Sequence, residues 1–166
     1  MATIVLSVIA NQLGGIAPDI DQPTAPFWRN LPIGGFFGRM IDKMLGGHRF
    51  LTHSILGLFL LGFLFHWLLV FLQPIMKNVD ITFVWWAFII GAISHLVMDS
   101  FTKEGVPWLL PIPIKFGVPP IKRLRITTGK GVENFIIFPL LAIVLVATFA
   151  INYAVFVDLL HKRIIG

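Results

Sequence analysis

This sequence predicts an all-α fold, a polytopic transmembrane helical bundle with long loops gathered on one side, and two observations carry that reading. Apolar residues make up 57% of the 166 and charged residues only 13%, too few to coat a soluble globule of this size. Several apolar runs reach the roughly 20 residues that a helix needs to cross the hydrocarbon core of a bilayer. The chain, residues 1–166, reads as a single integral membrane domain.

The first helix is expected over about residues 2–17. It is short, Asn11, Gln12, Gly14 and Gly15 interrupt it, and it runs directly into Pro18-Asp19. It lacks the basic start and small-residue cleavage site of a signal peptide, so it reads as a membrane helix partly shielded by the others. Residues 52–73 form a second span, interrupted by His66. Residues 81–99 form a third, rich in Ile, Phe and Trp, with Trp85 and Trp86 near its start like an interfacial belt. Residues 134–157 form a fourth and carry no charge.

The connections are unequal. Residues 74–80 are a short turn, whereas 18–51 and 99–133 are long and rich in Pro and Gly. Pro107 to Pro120 holds five prolines and reads as an ordered, extended loop lying on the membrane. With four crossings, the end of the first span, the start of the second, the end of the third and the start of the fourth share one face. Ten basic residues lie on that face: Arg29, Arg39, Lys43, Arg49, Lys103, Lys115, Lys122, Arg123, Arg125 and Lys130. The other face has Lys77, Lys162 and Arg163, so the long loops are expected to be cytoplasmic and both chain ends outside. The net charge of +5 is read in the same way, as orientation and contact with anionic membrane lipid, and no nucleic-acid partner is expected.

The chain has no cysteine, which excludes thiolate metal sites, disulfides and thiol catalysis. No serine sits in a nucleophile-elbow pattern, so acyl-serine hydrolysis is unsupported. Chemistry concentrates instead in three strings where apolar runs meet polar loops: Pro18-Asp19-Ile20-Asp21, His48-Arg49-Phe50-Leu51-Thr52-His53 and His95-Leu96-Val97-Met98-Asp99. They hold three of the five histidines and three of the eight acidic residues, and the path through the bilayer brings all three to one face.

His95 and Asp99 are four apart on a helix and leave the same side, so they could grip one divalent ion; an interhelical hydrogen bond with Asp99 fixing the His95 tautomer is the ordinary alternative. His53 opens the second span, with His48 five residues before it and Gly46-Gly47 turning the chain. A helix start suits a bound anion, with Arg49 as a second phosphate contact or simply a marker of the cytoplasmic boundary. Asp19 and Asp21 flank Ile20 and in extended backbone point the same way, so they could share ligand and water-activating roles; an acidic turn is the alternative. Glu133 precedes the fourth span on the same face, as a base, a further ligand or a helix-end acid. Ser54 and Ser94 read as helix-packing hydroxyls, and His66, about 20 Å along the helix from His53, as a buried hydrogen-bonding residue outside the site. Six residues are therefore candidate ligands: Asp19, Asp21, His48, His53, His95 and Asp99. Asp21, Arg49 and Glu133 are the catalytic candidates. Their nitrogen and oxygen donors suit zinc, manganese, iron or magnesium.

The strings together resemble the membrane-bound metal-dependent hydrolase family of YdjM-like inner-membrane proteins. The likeness rests on Pro18-Asp19-Ile20-Asp21, Gly47-His48-Arg49, Thr52-His53-Ser54, Ser94-His95, Asp99, Thr102, Gly105-Val106-Pro107 and Pro111. It covers most of the chain, to about Glu133. It implies a hydrolase distantly similar to zinc-dependent phospholipase C enzymes, with zinc as the first choice of ion. Members of that family carry a further histidine on a helix before the Pro-Asp-x-Asp string, and none stands before Asp19 here. Either a preceding helix lies upstream of Met1 or this copy has lost a ligand.

The expected function is metal-dependent hydrolysis of a phosphoester or lipid-like substrate at the cytoplasmic surface of the inner membrane. A non-catalytic metal-handling protein, transporter or sensor, would use the same ligands. It should carry polar groups through the midplane, where only His66 is deep.

Overall fold

The computed structural model describes residues 2–46, 49–112, 114–127, 135 and 138–164. Among these no strand forms, and an isolated antiparallel bridge pairs Val106 with Phe116. Helix α1 (Ala2–Ile16) runs into a 3-10 turn, Ala17–Asp21; the short α2 (Pro26–Arg29) and α3 (Gly34–Met44) follow. Then come α4 (Ile55–Leu72), α5 (Ile81–Ser100), a second 3-10 turn at Lys122–Leu124, α6 (Phe138–Ile151) and α7 (Tyr153–Ile164). Three helical segments are long and apolar enough to cross a membrane: Ala2–Asp21, Ile55–Leu72 and Ile81–Ser100.

Residues 2–125 form one compact unit and residues 126–166 a second. In the second, the stretch expected as one span over 134–157 is two helices, α6 of 14 residues and α7 of 12. Asn152 stands between them, its amide donating to the Thr148 carbonyl at 2.8 Å while the Thr148 hydroxyl donates to Val144. Such side-chain bonds to the preceding turn compete with the helical ladder and favour its end.

In the first unit the central pairing is α1 against α5, and it is made by small residues. An added Cβ on Gly14 would lie 2.0 Å from the Phe88 carbonyl oxygen, and one on Gly91 would lie 2.1 Å from that of Asn11. Ala92 is fully buried beside them. Lipid tails are as apolar as Leu, so close backbone packing and interhelical hydrogen bonds, rather than apolar burial, hold such helices together. Asn11 supplies one, its amide donating to the Ala87 carbonyl at 2.9 Å. The residues that weaken α1 as an apolar run are thus the ones that dock it.

Helix α4 joins through Phe65 stacked on Phe88, ring centroids 4.1 Å apart, and through the Trp85 indole donating to the Gly62 carbonyl at 2.8 Å. Ser54 caps α4, its hydroxyl accepting from the Gly57 amide and donating to Leu51. Asp80 caps α5 by accepting from the Thr82 amide at 3.0 Å. His66 is exposed on α4, its ring edge-on to Trp85, rather than buried as expected. Phe59, Phe63 and Trp67 of the same helix are exposed as well.

Inside the segment expected as an irregular loop, α3 is a well-formed amphipathic helix. Gly34 and Gly38 let it lie against Trp28, whose indole donates to the Ile20 carbonyl at 3.0 Å. The loop after α5 is pinned as well. Val106 and Phe116 exchange backbone hydrogen bonds of 2.8 and 2.9 Å, the Val118 amide reaches Ser100, and the Trp108 carbonyl accepts from the Ile55 amide. Arg125 donates to the carbonyls of Pro119 and Pro120.

Gly91→Ala should drive a methyl group into the α1 backbone and destabilise the first unit by about 2 kcal/mol, as overpacked interiors do. Gly15→Ala, whose Cβ would meet nothing within 4 Å, should unfold like the parent. Thermal or denaturant unfolding in nanodiscs compares the two.

Candidate metal centre

The 3-10 turn after α1, the loop into α4 and the last turn of α5 meet at one end of these three helices, and each brings one of the strings read from the sequence. Parallel passage of α1 and α5, from Thr3 beside Asp80 to Asn11 beside Ala87, sets Gly15 beside His95. The His95 Nδ1 lies 2.7 Å from the Gly15 carbonyl oxygen. A carbonyl can only accept, so Nδ1 carries a proton and Nε2 is the ring nitrogen that faces the site. The Gly15 backbone, not Asp99, therefore sets this tautomer.

His53 is fully buried. Its Nδ1 lies 3.0 Å from the Thr52 hydroxyl and 3.5 Å from Asp21 Oδ2, and the Thr52 hydroxyl donates to Asp21. An Nδ1–H, Thr52, Asp21 relay leaves Nε2 facing the same space as that of His95. The two rings are 5.3 Å apart, centroid to centroid.

Two carboxylates close the cluster. Asp19 Oδ1 lies 3.6 Å from His53 Nε2 and 3.5 Å from His95 Nε2. Asp99 Oδ2 lies 3.3 Å and 3.6 Å from the same two atoms. Ligand atoms around a tetrahedral zinc at about 2.0–2.2 Å stand roughly 3.3–3.6 Å from one another, and these four histidine-to-carboxylate separations match that spacing. His95 Nε2 and Asp99 Oδ2 are buried with no hydrogen-bond partner, a costly arrangement unless something positive lies between them. Asp19, His53 and His95 form a possible metal-binding triad, their ligand atoms all within 4.8 Å of one another.

Asp21 takes a different position from Asp19. Residues 17–21 form a 3-10 turn rather than the extended strand expected, so the two carboxylates flank His53 on opposite ring nitrogens. Asp21 is fully buried and also accepts from the Arg49 backbone amide at 3.1 Å. Arg49 sits at φ +58, a left-handed conformation uncommon for a side-chain-bearing residue. Its guanidinium donates to Asp99 Oδ1 at 2.9 Å and to the Thr102 hydroxyl at 2.8 Å. Engaged in this way, it orients Asp99 so that the other oxygen faces the histidines. His48 and Glu133 lie outside the described residues. Ser54 serves as a helix cap, and Ser94 is exposed.

The sequence reading assigned no role to the Thr52 or Thr102 hydroxyls or the Gly15 carbonyl. It also passed over Glu104, exposed and 3.6 Å from Arg49 Nε. Thr52 adjoins His53 and Thr102 follows Asp99 by three residues, so proximity was a usable signal for both. A backbone carbonyl has none.

Burial works against charge on His53, but the carboxylates of Asp19, Asp21 and Asp99 around it outweigh that cost and push the imidazole up to about 10. Without a cation His53 therefore holds a proton at neutral pH, and a cation needs that Nε2 bare. Metal uptake at pH 7 should release about one proton per site, and affinity should rise about tenfold per pH unit below pH 10. Calorimetry in buffers of different ionisation enthalpy measures both. Thr52→Val, which breaks the relay behind His53, should weaken metal binding about 10- to 100-fold.

Among curated proteins, "Uncharacterized protein YvsG" of Bacillus subtilis (strain 168) is 26% identical over 133 residues, covering 80% of this chain and 72% of the relative. No solved structure matches at a significant level. Residues 2–160 match the family described as "YdjM inner membrane protein". With that match spanning nearly the whole sequence, and three apolar helices long enough to cross a bilayer, the chain belongs to the YdjM inner membrane protein family.

Proposed function

We propose that this protein is a metal-dependent hydrolase at the cytoplasmic face of the inner membrane, acting on a phosphoester or lipid-like substrate. The observation that carries the reading is the cluster of four side chains, Asp19, His53, His95 and Asp99, with histidine-to-carboxylate separations of 3.3 to 3.6 Å. Two histidines and two carboxylates suit zinc, with manganese and iron as the nearest alternatives. Bound there, a divalent ion would polarise an ester oxygen and make water a competent nucleophile at neutral pH.

The remaining work falls to the chain. Asp21 and Thr52 hold His53 from behind, Gly15 holds His95, and Arg49 with Thr102 holds Asp99. Of the four cage residues Asp19 is the most exposed, its side chain at 39% against 0% for His53 and 13% for Asp99. The approach is therefore over Asp19. Its second oxygen can take the proton of the attacking water as the water oxygen bonds to phosphorus and the ester oxygen departs. The segments carrying the cage belong to the loops with most of the basic residues, which supports the cytoplasmic orientation. Ion transport is less well supported, because the deep His66 is on an exposed helix face away from the cage.

Purified protein should contain one divalent ion per chain and cleave bis(p-nitrophenyl) phosphate, with activity abolished by a chelator and restored by zinc. His95→Ala and Asp99→Asn should each lose the ion and at least about 100-fold in rate, as first-ligand losses exceed the 10- to 100-fold of supporting partners. Metal-free wild type after zinc exposure, or variants retaining full metal, would sink the reading.

A further inference from the structure

An apolar groove of about 230 Å³ lies beside the cage, lined by Leu13, Ile16, Ala17, Ile20, Phe65, Leu68 and Phe88. Ile20 stands at its polar end, between Asp19 and Asp21. Phe88 stands at its foot, seven residues from His95 along α5, which is about 10 Å. The groove thus runs along the helices, with Ile20, the chain neighbour of Asp19, in its lining. Its side walls face outward: Leu13, Ile16 and Leu68 are each about half exposed, on segments long enough to span the membrane.

A second feature lies next to it. Helix α3 is held to the Ile20 segment through Trp28. One side of α3 exposes Phe36, Phe37, Met40 and Met44, and the adjoining side carries Arg39 and Lys43, also exposed. A helix with an apolar face and a basic edge lies at the level of the lipid headgroups and draws anionic ones toward it.

From Ile20, which lines the groove and adjoins Asp19 in the chain, and from the basic helix packed on the same segment, we infer that the groove is the acyl-chain site for an anionic phospholipid drawn sideways from the bilayer, its phosphate reaching the Asp19–His53–His95–Asp99 cage. This rests on the hydrolase reading and narrows its substrate to a lipid. Lipid tails are no less apolar than the groove, so burial supplies no net drive. The headgroup selects the lipid, and the groove aligns its chain so that the ester lies over Asp19.

The test uses the full chain, zinc-loaded, in phosphatidylcholine nanodiscs doped with a phosphatidylglycerol carrying a photoreactive diazirine on one acyl chain. Cross-links should map to Leu13–Ile20 and Leu68. Unlabelled phosphatidylglycerol should compete them away, whereas inorganic phosphate and glycerol phosphate should not. Leu68→Trp and Leu13→Trp, which fill the groove, should lose this competable labelling while keeping full zinc content. Arg39→Gln/Lys43→Gln should lower the preference for the anionic headgroup. Labelling spread evenly over Phe59, Phe63 and Trp67, without competition, would overturn the inference. So would unchanged labelling in both tryptophan variants. Zinc binding and phosphoester cleavage with no competable groove labelling would remove this inference alone. Absent zinc would remove the hydrolase reading first.

Discussion

The polar end of residues 2–125 depends on how closely the backbone of α1 approaches that of α5. Gly14 and Gly91 bring carbonyl oxygens to within about 2 Å of where a Cβ would stand, a separation that no other residue pair permits. That approach puts the Gly15 carbonyl in reach of His95 Nδ1, which fixes the tautomer and turns Nε2 inward. One turn later the chain has entered its 3-10 segment, and Asp19 arrives opposite the same nitrogen. Packing between two membrane helices is thus converted directly into the position of a donor atom.

The cluster it assembles is electrostatically incomplete as a purely organic assembly. Asp19, Asp21 and Asp99 surround His53, and Arg49 offsets Asp99. In a region of low dielectric, each unpaired carboxylate oxygen is costly. A proton on His53 is one remedy and a divalent cation is another. A cation held there would compete with that proton for one nitrogen. Arg49 adopts its left-handed backbone at the centre of this balance, its amide on Asp21 and its guanidinium on Asp99. A local backbone cost there is offset by two charge-assisted hydrogen bonds.

The surroundings of the cluster follow from the solvent being lipid. Most large apolar side chains of α1, α4 and α5 remain exposed because the hydrocarbon, not the protein, covers them. The α4 and α5 termini at the cluster are tied by caps and loop contacts: Ser54 closes α4, Trp108 receives the Ile55 amide, and Ser100 accepts from the Trp108 indole and the Val118 amide. These bonds satisfy backbone groups at the depth where water thins out, and they hold α4 and α5 in the register the cage requires.

Much of this was legible without coordinates. Hydropathy marks the spans because a bilayer leaves few alternatives to a helix of about 20 apolar residues. The order of those spans is enough to send His53, His95, Asp19 and Asp99 to one end. Spacing along α5 put His95 and Asp99 on one face because 3.6 residues per turn is a local property. What the chain alone could not supply is the division of labour within the cluster. Whether Asp19 or Asp21 faces a given imidazole nitrogen depends on a 3-10 turn enforced by packing. Likewise, Arg49 grips Asp99, 50 residues away, only after α1, α4 and α5 have met. Helix α3 escaped the sequence reading because it lies in a long stretch judged by its Pro and Gly content, although its own residues form a clear apolar face. Composition and local periodicity determined that the chain carries helices apolar enough to span a membrane and gathers its candidate ligand residues at one end. Tertiary packing alone decided which atoms face each other, because contacts within 3 to 4 Å between distant segments are set by backbone approach, and that approach is encoded in no one stretch of sequence.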